Sequence, residues 1–236
     1  MPDGGPAGAP GKEGAIARAV AYRFLSLCFS HPDTKLVELF GGARLEEFLQ
    51  SWRYLGFETS ERIADVVNWL DSLPGREAAL LELEKEYTRL FVTAYPRVVA
   101  PPYSSVYLDE QGQVWGASTA EAARLYEAAG LGMSRDLHDL PDHIAVEMEF
   151  ASHLIGEQQK RASSNDTAVR DLASIERRFL SQHLLRWAPA FFSRVAELSR
   201  TAFYRSLAEL AQQFLKWEAE HLAALQDQPC RQSDPR

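Results

Sequence analysis

His143, Glu147, Glu149 and His153 stand close together among many apolar residues in the stretch Asp139 to Ile155. Metal ligation is the first chemistry that such residues suggest. On a helix, at about 100° per residue, His143 and His153 point roughly 80° apart and share no face. Neither a His-Glu-x-x-His pattern nor a Cys/His cluster occurs. Glu147 and Glu149 also project to different faces, which does not suit paired acid–base work. No glycine-rich phosphate loop follows a strand, and no nucleophile elbow is present. A helical metal-dependent hydrolase using His143 and Glu147 is the enzymatic alternative, and a purely structural helical adaptor is the other.

The element that carries these residues reads as a helix from Pro141 to about Arg161. Asp139 is expected to cap it, and Pro141 suits a first turn, where backbone N–H groups lack helical partners anyway. Ile144, Met148, Ala151 and Ile155 fall on one side and Val146, Phe150 and Leu154 on another. His143 and Glu147, one turn apart, lie on the arc of Phe150 and Leu154. Asp142, Glu149, Ser152 and His153 share the remaining polar strip. This helix is therefore expected to be buried around most of its circumference, with an ionisable pair among apolar neighbours. Buried ionisable groups need partners, and they are enriched at functional sites. A bland reading has Asp142 capping the helix, His143 satisfying a carbonyl and Arg89 pairing with Glu147.

Before it, helical spacing predicts Glu13–Ser30 (Ile16, Val20, Phe24, Leu27), Thr34–Phe40, Leu45–Tyr54, a helix from Ser60, and Arg76–Thr93. Tyr95 to Gly116 then breaks the pattern with Pro96, Pro101, Pro102, Gly112 and Gly116. Val106-Tyr107-Leu108 favours extended backbone. A loop of that length in a packed domain is uncommon and usually functional. Its Tyr95, Tyr103, Tyr107 and Trp115 suit an ordered loop that packs on something. Ser118 to Glu121 has a capping-box pattern and opens a helix to Gly130. Later helices are predicted at Thr167–Arg186, from a start or kink at Pro189 to about Arg200, and a last one over Phe203 to Leu225, with a polar tail from Gln226. The last has a stripe of Phe203, Leu207, Leu210, Phe214, Trp217 and Leu225. No strand pairing is convincing. The fold class is all-α: residues 12–226 form one bundle of about nine or ten helices with a long proline-rich central loop. Residues 1–11 read as a disordered N-terminus and 227–236 as a flexible tail.

The 236 residues carry a formal charge of −8 and a pI near 5.3. That balance opposes general nucleic-acid binding and is compatible with a cationic partner. Two cysteines, Cys28 and Cys230, make no disulfide framework. No run approaches about 18 consecutive apolar residues, and the N-terminus lacks a basic start and an apolar core. A cytoplasmic location without stable membrane insertion is expected.

Four segments together resemble one family: Glu86 to Phe91, Pro101 to Leu108, Leu140 to Phe150, and His183 to Phe191. In order and spacing they are similar to the TorD/DmsD/NarJ-type maturation chaperones of molybdopterin oxidoreductases of the dimethyl-sulfoxide-reductase class. The resemblance spans about Ile16 to Leu222. It implies a cytoplasmic all-α chaperone, not an enzyme, acting as a monomer or homodimer. Its implied partner is the apo catalytic subunit, held by a twin-arginine leader or similar N-terminal segment until the cofactor is inserted. The resemblance maps leader binding to Pro141, Asp142 and His143 and to Pro101, Pro102, Tyr103, Ser105 and Tyr107. Some relatives have Trp-Gly where this chain has Tyr103-Ser104. Asp142 and Glu149 are candidate acceptors for leader guanidiniums, and Tyr103, Tyr107 and Trp115 candidate covers for its apolar run. Arg89 and Glu147 are expected to support the pocket. No metal or resident cofactor is expected. Guanine-nucleotide binding is suggested for relatives, but no phosphate loop supports it here.

Overall fold

A computed structural model describes residues 11–95, 97–132, 139–161 and 167–226. Residues 1–10 of the N-terminus expected to be disordered (1–11) and the expected flexible tail 227–236 lie outside them, as does Cys230. Among the described residues there are eleven α-helices: α1 Lys12–Phe29, α2 Thr34–Phe40, α3 Ala43–Tyr54, α4 Ser60–Asp71, α5 Arg76–Tyr87, α6 Ser104–Leu108, α7 Ala117–Ala128, α8 Ile144–Arg161, α9 Thr167–Phe179, α10 Leu185–Leu198 and α11 Ala202–Gln226. A π-helical turn at Thr88–Val92 extends α5, and another at Leu180–Leu184 joins α9 to α10. No strand occurs among these residues; the one β-like pairing is an isolated antiparallel bridge between Tyr103 and His143.

α1 lies along α8, and α11 packs on α10 and α4. Small residues on the facing helices, Ala17, Ala21 and Ala151, are buried and let backbones approach closely. Where α1 was expected to bury Ile16 and Val20, Ile16 is 44% exposed. The small-residue face is turned inward instead, with Phe24, Leu25 and Cys28. The stripe of α11 is buried through Trp217, but Leu222 and not Leu225 closes it. Aromatic rings fill the centre. Phe29 meets Phe192 edge-on at 4.9 Å, and Tyr22 meets Phe214 likewise at 4.8 Å.

Helix ends follow local chemistry. Asp33 accepts the Leu36 N–H at 2.9 Å and starts α2 just after Pro32. The box expected at Ser118–Glu121 does not form. α7 begins at Ala117, and Asp109 reaches across to take the N–H of Ser118 at 3.3 Å and its hydroxyl at 2.6 Å. Gly116 leaves room for that carboxylate: a Cβ there would sit 1.9 Å from its Oδ2. The break expected at Pro189 falls earlier, in the π-turn, and α10 runs through the proline. Val106 to Leu108, expected to be extended, belong to α6.

Arg18 is the one cation that the core of α1 holds. Its Nε donates to Glu218 at 3.0 Å and its guanidinium pairs with Glu176 at 2.8 Å, tying α1 to α11 and α9. Glu218 is fully buried. Removing the cation would strand that carboxylate. Arg18→Leu is therefore expected to lower the unfolding free energy by about 3–5 kcal/mol in urea denaturation. Adding Glu218→Leu should recover most of the loss.

Candidate functional site

The proline-rich segment and the turn before α8 are built as one unit. Ser104 N–H donates to the Asp142 carbonyl at 3.0 Å, and Ile144 N–H donates to the Pro102 carbonyl at 2.8 Å. Ser105 N–H donates to the Asp142 carboxylate at 3.0 Å. A five-residue helix such as α6 has no stability of its own. These bonds from Asp142 and Pro102 hold it in place.

The start of α8 differs from the expected one. Pro141, Asp142 and His143 precede the helix, so Asp139 does not cap it and Pro141 is not in its first turn. His143 takes the capping role: its Nδ1 accepts the Ala145 N–H at 3.1 Å. That bond places the neutral ring's proton on Nε2, which faces the Tyr87 hydroxyl at 3.5 Å. Burial lowers the pKa of His143, against the pull of Asp139 and Asp142. Tyr126 donates its hydroxyl to the Pro141 carbonyl at 2.6 Å and fixes the turn from the other side.

Below this unit lies a buried ion pair. Glu147 has no exposure and is not paired with Arg89 or with His143. His183 Nε2–H donates to its Oε1 at 2.7 Å, and the Trp187 indole N–H donates to its Oε2 at 2.8 Å. Ser104 Oγ lies 3.2 Å from the same His183 nitrogen and links the pair to α6. Burial raises the Glu147 pKa, and His183 and Trp187 pull it back. Burial also works against a charged His183, but the Glu147 carboxylate outweighs it and raises that pKa. The π-turn widens the helix at Leu180–Leu184 and delivers His183 here; such turns recur at functional sites. Arg89, meanwhile, forks onto Glu86 with two 2.7 Å bonds and donates to the Leu198 carbonyl at 2.8 Å.

Of the residues singled out in the sequence, Pro102, Tyr103, Ser105, Asp142 and His143 come together. Tyr103 stacks edge-on to His143 at 5.3 Å and is half-buried. Burial and then the nearby Asp139 and Asp142 carboxylates push its phenol to about 12. Tyr107 faces inward, 5.4 Å from Trp187, and burial likewise takes its hydroxyl to about 12. Pro101 lines a hollow that Tyr103 and Arg97 also line. Two residues stand apart. Glu149 is exposed and pairs with Arg23 of α1. Trp115 lines a separate hollow with Asp109 and Glu110, 74% exposed and held at φ 73°. Asp142, with no exposure, has one oxygen on Ser105 and the other without a partner. Ser104, His183, Trp187, Tyr126 and Asp139 complete the unit without having been named as site residues; Ser104 lay in the second motif, His183 and Trp187 in the fourth, and Asp139 was expected only as a cap.

Among the described residues, no group of three or more His, Cys, Asp or Glu is arranged to hold a metal ion, and no helix is long and apolar enough to cross a membrane. The two buried histidines should titrate in opposite directions. His143 stays neutral when the unfolded chain takes up a proton, so stability falls as pH drops below 6.5 towards its lowered pKa. His183 contributes fully below 6.5, and stability falls as pH rises through its raised pKa. NMR titration of the imidazoles, with urea midpoints across pH, would read both. His183→Gln should remove the alkaline fall only.

A family model described as nitrate reductase delta subunit matches residues 42–193, which hold every segment of this unit. The chain is 30% identical over 211 residues to the chaperone protein TorD of Vibrio cholerae serotype O1 strain O395, covering 88% of this chain and 93% of that one. It is 27% identical over 207 residues to the chaperone protein TorD of Aliivibrio salmonicida, covering 87% and 94%. A solved structure from Archaeoglobus fulgidus, described as a redox enzyme maturation protein, superposes with a TM-score of 0.51 at 26% identity, covering 84% and 93%. The family match, the shared length and the common helical fold together show that this chain belongs to the nitrate reductase delta subunit family, the TorD/NarJ-type redox enzyme maturation proteins.

Proposed function

We propose that this protein is a cytoplasmic maturation chaperone for a molybdopterin oxidoreductase. It binds the twin-arginine leader or N-terminal region of the apo catalytic subunit and assists cofactor insertion before export or assembly. The observation that carries the reading is the near full-length similarity to TorD chaperones, joined to a site most of whose buried polar bonds hold a surface segment in shape. Asp142, His143 and the Glu147–His183 pair are buried, so they act by positioning the Pro102–Tyr103 segment and not by touching the client.

Contact with a leader then falls to the half-buried groups at the rim. Asp139 lies beside Tyr103 and is only partly covered. A leader guanidinium could pair with the Asp139 carboxylate in a charge-assisted bond and stack on the Tyr103 ring. An apolar run following the arginines would lie along the proline-rich segment. Such bonds are worth about 1.5–3 kcal/mol, or about tenfold or more in affinity.

Calorimetric titration with a synthetic peptide carrying Arg-Arg and an apolar run tests this. Asp139→Asn and Tyr103→Ala are each expected to weaken binding about tenfold, as is a Lys-Lys peptide against the unaltered chain, because lysine cannot fork onto a carboxylate. Unchanged affinity in both variants would place the leader elsewhere.

A further inference from the structure

We propose that a second docking surface runs from Tyr103 along the proline-rich segment towards Arg97 and Arg194, and that it takes a stretch of partner polypeptide in which carboxylates alternate with apolar side chains. Two adjoining hollows of about 480 and 470 Å³ share Arg97, Val98 and Arg194. Arg89 and Arg200 line the second. No carboxylate lines either one among the described residues. That is unusual in a chain with 33 acidic and 25 basic residues. Arg97 and Arg194 are exposed and form no ion pair or hydrogen bond with the described residues.

The same walls expose apolar side chains that a monomer would ordinarily cover. Val92 is 57%, Tyr95 100%, Val114 46% and Leu198 40% exposed. Each belongs to one of the two hollows. An apolar patch rimmed by polar groups marks an interaction surface. A rim of one sign selects the partner's charge and quickens encounter. Free guanidiniums among uncovered valine, leucine and tyrosine fit carboxylates set between apolar residues. They would repel the arginines of a leader, so this surface differs in charge preference from the Asp139–Tyr103 rim, which it adjoins at Tyr103.

Fluorescence anisotropy at low salt tests it with a labelled peptide alternating glutamate with leucine and valine, against a counterpart with lysine for glutamate. The acidic peptide is expected to bind at least about tenfold tighter, and to weaken about tenfold with Arg97→Glu combined with Arg194→Glu. Added salt should reduce the preference. Arg97→Lys with Arg194→Lys should keep most of the binding, and thermal unfolding should not move, since both side chains are exposed. The Arg-Arg leader peptide should bind the glutamate variant no worse than the unaltered chain. The proposal is overturned if the two peptides bind alike, or if the charge reversals leave the acidic peptide's affinity intact. It is also overturned if inorganic phosphate alone displaces the acidic peptide completely, if anionic phosphatidylglycerol vesicles and not the peptide show the arginine dependence, or if leader binding is lost with the same variant.

Discussion

A carboxylate with no access to water has to be answered, and Glu147 is answered by His183 and Trp187. The cost of burying that charge is large unless both oxygens are bonded. The geometry that meets it draws α8, the second π-turn and the start of α10 to one point. Ser104 joins the same histidine, so the position of α6 depends on it too. The proline-rich segment is thus anchored twice: from below through Ser104 and His183, and from the side through Asp142 and Pro102.

Most of the helical frame was legible in the chain. Spacing located α1 to α5, α7, α8, α9 and α11, because each buries a stripe that repeats at the helical period. The burial of α8 around most of its girth was also legible, since His143 and Glu147 share the arc of Phe150 and Leu154. What escaped depends on distant partners. Nothing near Glu147 in sequence points to His183, 36 residues on, and Arg89 was as plausible a partner. The π-turns have no spacing signature, so the joints near Thr88 and Leu180 read as plain helix. α6 was hidden because Val106 and Tyr107 favour extended backbone, and only bonds from Asp142 and Pro102 make those residues helical. His143 was read as a residue within the helix when it is the cap, because imidazole is not an ordinary capping side chain.

The site itself was half legible. The two segments that converge, Pro101 to Leu108 and Leu140 to His143, were the ones singled out. Their roles were not, since residue type does not reveal exposure. Asp142 reads as a ready guanidinium acceptor, but its Oδ2 is spent on Ser105 and its side chain is enclosed. Asp139, chosen as a cap, is the carboxylate left at the rim. Arg97 and Arg194, in the hollow that Tyr103 also lines, attracted no notice because single arginines in an acidic chain are ordinary; what distinguishes them is that folding leaves them unneutralised beside uncovered valines and tyrosine.

The interlocked unit takes one strand of contacts from the middle of the chain, one from the turn before α8 and one from the second π-turn. Ser104 and His183, which touch, are separated by 79 positions. A ribosome delivers residues in order, so a growing chain that has released only the proline-rich segment has no histidine to seat it. The interlocked unit is therefore complete only once the second π-turn and the start of α10 have been made, whereas its bonds among Pro102, Ser104, Ser105 and Asp142 need nothing beyond α8.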